Sequence, residues 1–131
     1  MEDSINYIID SYAWVEYFIG SKKGEVLMGL FNDKNNHFFT VECCLAEIRL
    51  WCLKNNKDFN EFYKIIMANS DIVNLDEIDW IKAGEEQFKQ KKLQKDFGLI
   101  DSILIVKQEQ YNYMIISGDK HFKSLKNVLF I

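Results

Sequence analysis

The chain has 131 residues, 48% of them hydrophobic and 15% aromatic, enough to bury a core without disulfides or structural metal, and residues 1–131 are expected to form one domain. Sixteen basic against 20 acidic side chains give a net charge of -4, which argues against a binder that simply neutralises phosphates with a basic surface. Apolar runs are short and interrupted, and Met1-Glu2-Asp3-Ser4 lacks the basic start and apolar stretch of a signal peptide, so a soluble, cytoplasmic protein is expected.

Tyr7-Ile8-Ile9 reads as a short buried strand, followed by a helix from Ser11 to Ile19 that Gly20 ends. Gly24 to Phe31 reads as a second helix, His37 to Val41 as a strand, and Glu42 to Lys54 as a helix with Leu45, Ile48, Trp51 and Cys52 on one face. Cys43, Cys44 and Cys52 are odd in number and crowded together, a poor disulfide framework. With His37 and His121 they form no zinc spacing, so they are expected in the core. Asp58-Phe59-Asn60-Glu61 is close to a capping box and opens a helix through Ala68. Ile72 to Leu75 is a strand, Asp76 caps a helix to about Gln90, and Lys91 to Lys95 is a solvated turn. Gly98 to Gln110 is a helix, Tyr113 to Ser117 a strand, His121 to Leu125 a short helix and Val128 to Ile131 a last strand. No proline, linker or repeat divides the chain.

Repeated strand-helix units imply an α/β three-layer sandwich with a mainly parallel central sheet flanked by helices, because parallel strands need crossover connections. The crevice of such a sheet lies beyond the carboxyl ends of its strands. Asp10 and Asp119 each follow a predicted strand and should line that crevice, although Asp at such a position can equally be a helix cap. Glu47 has Cys43, Cys44, Leu50 and Trp51 as helical neighbours and no local cation, a costly setting unless the carboxylate is paired, protonated or metal-bound. Asp101 sits among Gly98, Ile105 and Gln108, a pattern that also fits a solvated stripe. Its helix leads into the strand that ends near Asp119, which brings it within reach of one site. Carboxylates gathered there would be hard oxygen ligands suited to Mg²⁺ or Mn²⁺.

The run Tyr7-Ile8-Ile9-Asp10-Ser11-Tyr12-Ala13-Trp14, the segment Leu45-Ala46-Glu47-Ile48, the run Leu99-Ile100-Asp101-Ser102-Ile103-Leu104, and Ile115-Ile116-Ser117-Gly118-Asp119-Lys120-His121-Phe122 resemble the four successive acidic motifs of PIN-domain nucleases. Order and spacing match over nearly the whole chain, and the compact size is similar to the VapC-type toxins of toxin–antitoxin pairs. The resemblance implies an endoribonuclease dependent on Mg²⁺ or Mn²⁺, often a homodimer, that cleaves RNA and is inhibited by a cognate antitoxin protein. Asp10, Glu47, Asp101 and Asp119 match the family's metal-site and catalytic positions, and Ser11 and Ser117 its small hydroxyl positions. Ser117 stands where Thr is more familiar, and the Phe97-Gly98 lead into the third motif is less typical. In this scheme Asp10 and Asp119 bind the principal metal, Asp101 is a ligand or positions water, and Glu47 completes the cluster.

Lys120, His121, Lys123 and Lys126 form a local basic run that could hold an RNA backbone, with Lys120 and Lys123 foremost and Lys22 and Lys23 behind them. Asp96, Glu16 and Glu42 are expected at the surface. Two other readings stay open. One is a phosphatase with Asp10 as covalent nucleophile, although Tyr12 stands where such enzymes commonly place a second acid. The other is a PIN-like interaction module without activity.

Overall fold

The computed structural model describes residues 4–131, so the expectation resting on Met1 to Asp3 falls outside the described residues. Five strands form one wholly parallel sheet in the order β3-β2-β1-β4-β5. They are β1 (Ile5–Ile9), β2 (Asn36–Val41), β3 (Asp71–Val73), β4 (Met114–Ser117) and β5 (Val128–Phe130). The helices are α1 (Ser11–Ile19), α2 (Lys22–Phe31), α3 (Cys43–Lys54), α4 (Phe59–Asn69), α5 (Glu77–Lys91) and α6 (Leu99–Tyr111).

Alternation along the strands makes the three layers. Ile8 of β1 and Ile115 of β4 point to one face and pack with Ala83 of α5 and with Ile103 to Val106 of α6. Their neighbours Tyr7, Ile9 and Ile116 point to the other, where Ala13, Trp14, Leu27, Ile48, Cys52 and Ile66 from α1 to α4 cover them. Both sheet faces are therefore buried, as a parallel sheet requires. In the second layer the indole of Trp14 donates to the Thr40 hydroxyl at 3.1 Å, and Thr40 pairs with Ser70 at 2.8 Å. A buried ion pair, Lys107 to Asp79 at 2.9 Å, ties α6 to α5. Among the described residues no helix is long and apolar enough to cross a membrane.

Several boundaries move for local reasons. The second helix starts at Lys22 rather than Gly24 because Ser21 caps it, accepting from the Gly24 N–H. Asp58 accepts only from Asn60, and the reciprocal capping box belongs instead to Asp76 and Asp79. The short helix expected from His121 to Leu125 is a single 3₁₀ turn, Lys120–Phe122, capped by Asp119. Gly20 ends α1 with φ of 70°, a left-handed conformation that glycine adopts without steric cost. The three cysteines are free, with Cys44 and Cys52 buried and Cys43 partly so.

Candidate active site

The sheet places Asp10 at the carboxyl end of β1, where its N–H still pairs with the Ile116 carbonyl of β4 at 3.0 Å. Asp10 occupies the N-cap position of α1, yet its side chain makes no capping bond. Its carboxylate instead accepts from the Ser117 hydroxyl at 2.7 Å, and Ser117 in turn accepts from the Asp119 N–H at 3.0 Å. The residue is only 3% exposed. Ser11, first in α1, lies 2.9 Å from Glu47 and 3.4 Å from Asp10. Its one hydroxyl proton therefore serves Glu47.

Asp10, Glu47, Asp101 and Asp119 line one cleft of about 260 Å³, together with Ser11, Tyr12, Val15, Glu16 and Trp51. Asp10, Glu47 and Cys44 are the tighter group, with ligand atoms all within 4.8 Å of one another, while Asp101 and Asp119 stand across the cleft beside His121. The backbone at Gly118 lets Tyr12 reach the rim, since a Cβ there would fall 2.4 Å from the Tyr12 ring. Lys23 donates to the Tyr12 hydroxyl at 3.0 Å.

Among the described residues none of these carboxylates pairs with a Lys or Arg, and His121 is the basic group beside Asp101 and Asp119. Burial, opposed by the Ser117 hydrogen bond and reinforced by the charges of Asp101, Glu47 and Asp119, pushes the Asp10 carboxyl up to about 7. Burial also raises Glu47, against the Ser11 hydrogen bond and with the charges of Asp101 and Asp119. Asp101 is raised by burial despite its His121 contact. The Cys44 thiol, hydrogen-bonded to Cys43 and buried beside Asp10, is held well above its ordinary value. Carboxylate oxygens, which are hard donors, predominate in the cleft, with the Cys44 sulfur the one soft atom beside them. Such a set fits Mg²⁺ or Mn²⁺ better than a thiophilic ion.

Asp119 caps the 3₁₀ turn through the His121 N–H at 2.9 Å, so its plain structural role is real alongside its place in the cleft. His121 does not join a surface basic patch. It is turned inward with Nδ1 2.8 Å from Asp101 and 3.4 Å from Asp119, and Nε2 3.2 Å from Asp96. Burial disfavours its charge, but the contacts with Asp96 and Asp101 and the charge of Asp119 outweigh that and raise its pKa. Lys120 pairs with Asp96 at 3.2 Å in solvent, and Lys123 is exposed. Glu42 is taken up structurally, accepting from the Leu75 N–H at 2.7 Å. Sequence reading missed Cys44, although its position three residues before Glu47 put both on one helical face. Asp96 lies at the surface as expected, beside Lys120 and His121.

No protein-family model matches the chain, and no curated protein matches it either. Solved structures do. VapBC2 from Rickettsia felis, bound to a DNA fragment from its promoter, is 17% identical with a TM-score of 0.73 over 97% of this chain and 98% of that one. VapC20 from Mycobacterium tuberculosis, a sarcin–ricin loop cleaving toxin, is 12% identical with a TM-score of 0.75 over 93% and 96%. DNA-bound VapBC from Salmonella typhimurium is 7% identical with a TM-score of 0.66 over 97% of each chain. At these identities the likeness is one of fold, and the three-layer architecture is that of the VapC toxins, the PIN-like fold that the four motifs resemble.

Proposed function

We propose that residues 1–131 form a single metal-dependent nuclease domain, an endoribonuclease of the VapC type that hydrolyses RNA phosphodiester bonds as the toxin of a toxin–antitoxin pair. The observation that carries the proposal is the cleft at the carboxyl ends of β1 and β4, where buried Asp10 and three partly buried carboxylates converge without a Lys or Arg to balance them. In this reading Asp10 and Glu47 hold the cation on one wall and Asp119 and Asp101 complete the site from the other. Mg²⁺ or Mn²⁺ bound there would offset charge on the phosphoryl oxygens and ease deprotonation of an attacking water. The Ser117 and Ser11 hydroxyls fix the carboxylates of Asp10 and Glu47, which removes the reorganisation those groups would otherwise undergo. Tyr12, Val15 and Trp51 give the cleft an apolar wall against which an unpaired base could lie. Lys120 and Lys123 are the cations nearest the Asp119 turn for an RNA backbone. A cytoplasmic homodimer blocked by a cognate antitoxin is the assembly consistent with the VapBC complexes that share the fold.

The test is cleavage of single-stranded or loop RNA by purified protein in Mg²⁺ or Mn²⁺, with and without EDTA. Asp119→Asn keeps a side-chain oxygen to cap the 3₁₀ turn but loses the charge. It should reduce cleavage by more than about 100-fold with the fold intact, since even partners of metal ligands cost roughly 10–100-fold. Undiminished cleavage by this variant, or by wild type in EDTA, would remove the assignment.

A further inference from the structure

His121 is fastened on every side. Its backbone N–H is capped by Asp119, and its carbonyl accepts from the Gln94 side chain at 2.9 Å. The Phe97 ring lies 5.4 Å from the imidazole, and Asp96, in the α5–α6 connection, comes within 3.2 Å of Nε2 without forming a hydrogen bond to it. The remaining ring nitrogen, Nδ1, is thereby aimed at Asp101 Oδ2, 2.8 Å away. A carboxylate can only accept, so Nδ1 donates. Gly98, at the N-cap of α6, borders the same oxygen, since a Cβ there would lie 3.3 Å from Oδ2. His121 and Gly98 thus lie against the same oxygen, Oδ2, of a carboxylate that lines the cleft.

From this geometry we infer that His121 is a positioning residue, held by Asp119, Gln94 and Phe97, that occupies Oδ2 of Asp101 so that Asp101 meets a cation in the cleft through its other oxygen. The α5–α6 connection thereby sets the geometry of a carboxylate it does not carry. Hydrogen-bonding partners behind metal ligands typically govern affinity by roughly 10–100-fold. The cleavage arm of the test rests on the ribonuclease reading above, and the Mn²⁺-binding arm does not.

The experiment compares wild type with His121→Ala, His121→Asn and His121→Gln, reading Mn²⁺ affinity by calorimetry, RNA cleavage, and cooperative melting as a check on the fold. An Asn amide nitrogen falls where Nδ1 was and can still reach Asp101. A Gln amide nitrogen falls near Nε2 and can reach only Asp96. Expected is an Mn²⁺ Kd raised about 10–100-fold in His121→Ala and His121→Gln, with His121→Asn recovering most of the loss. Cleavage should follow the same order. Wild-type affinity in His121→Ala, or better recovery by Gln than by Asn, overturns the inference, and the Asn–Gln comparison decides it if the Ala variant does not fold. Wild-type protein that binds no Mn²⁺ overturns it too. If wild type binds Mn²⁺ in the expected order of variants but cuts no RNA, the positioning role stands and the ribonuclease reading falls.

Discussion

Asp10→Asn should stabilise the metal-free protein at neutral and alkaline pH, which is opposite to the usual effect of altering a buried residue. The carboxyl of Asp10 is raised from 3.8 to about 7, chiefly by burial. Between those values the folded state holds a proton that the unfolded state has released, so stability is greatest in acid and falls as pH rises. That gap, at roughly 1.4 kcal/mol per pH unit, amounts to about 4 kcal/mol lost by pH 8. Glu47 and Asp101 are raised too and steepen the decline. His121, also raised, adds stability below its unfolded value that is lost as pH climbs through its folded one. Asn at position 10 keeps an oxygen for the Ser117 hydroxyl and carries no charge. It leaves an amide to be satisfied at roughly 1–2 kcal/mol, for a net gain of about 2–3 kcal/mol, or about 10 °C in Tm for a domain of this size. Urea and thermal melts of both proteins in EDTA, from about pH 4 to about pH 8, measure the difference curve directly. Mn²⁺ should then raise wild type far more than the variant. A variant that melts well below wild type at pH 8 would refute the buried-charge argument and make Asp10 a structural residue. A variant that keeps the full Mn²⁺ shift would show that Asp10 holds no metal.

Two further expectations concern the layers that carry the site. Lys107→Met leaves Asp79 buried and unpaired, so it should cost about 3–5 kcal/mol in urea melts at neutral pH. Because Asp79 is held below its ordinary pKa, burial being outweighed by Lys107 and the Asp76 bonds, the cost should shrink as pH falls through that depressed value. A loss that does not change with pH would show packing rather than charge at work. Thr40→Val removes the acceptor of the buried Trp14 N–H and should cost about 1–3 kcal/mol, while Thr40→Ser should cost less. A larger loss in Thr40→Ser than in Thr40→Val would assign the greater part of the effect to the Thr40 methyl group rather than to the hydroxyl.

The sheet was legible because β1 to β4 are short β-rich runs that end at or just before a polar residue, and each crossover helix has its own apolar face. Asp10 and Asp119 could be placed for that reason: a carboxylate one or two residues past a parallel strand falls at the same end of the sheet whatever the loop does. Glu47 was legible for a different reason, as a charge with no partner within a helical turn, and in the fold its partner is a hydroxyl 36 residues away. Asp101 was ambiguous because its helix start is set by Gly98, which has no side chain to announce a cap. The inward turn of His121 was not legible at all. In sequence it stands in a basic run, and the pull of Asp96 and Asp101 on its two ring nitrogens exists only once α5 and α6 have packed.

Asp10 also separates the two meanings that a strand-end Asp can carry. A carboxylate kept for the fold should be stabilised by what surrounds it, as Asp79 is by Lys107 and by its capping bonds. Asp10 is surrounded by three other acids and two hydroxyls, makes no cap, and is pushed toward neutrality. Folding alone would be better served by Asn. A residue that weakens the fold while the charges beside it are aligned to do the same marks a place where stability is given up for binding. On the proposed reading a small hard cation would restore what burial removes, and would gain affinity because no protein cation must first be displaced from Asp10. Cys44 belongs to the same group, its sulfur within 4.8 Å of carboxylate oxygens of Asp10 and Glu47 and its thiol pushed up by the Cys43 contact and burial, so that without metal it adds little negative charge to the cluster.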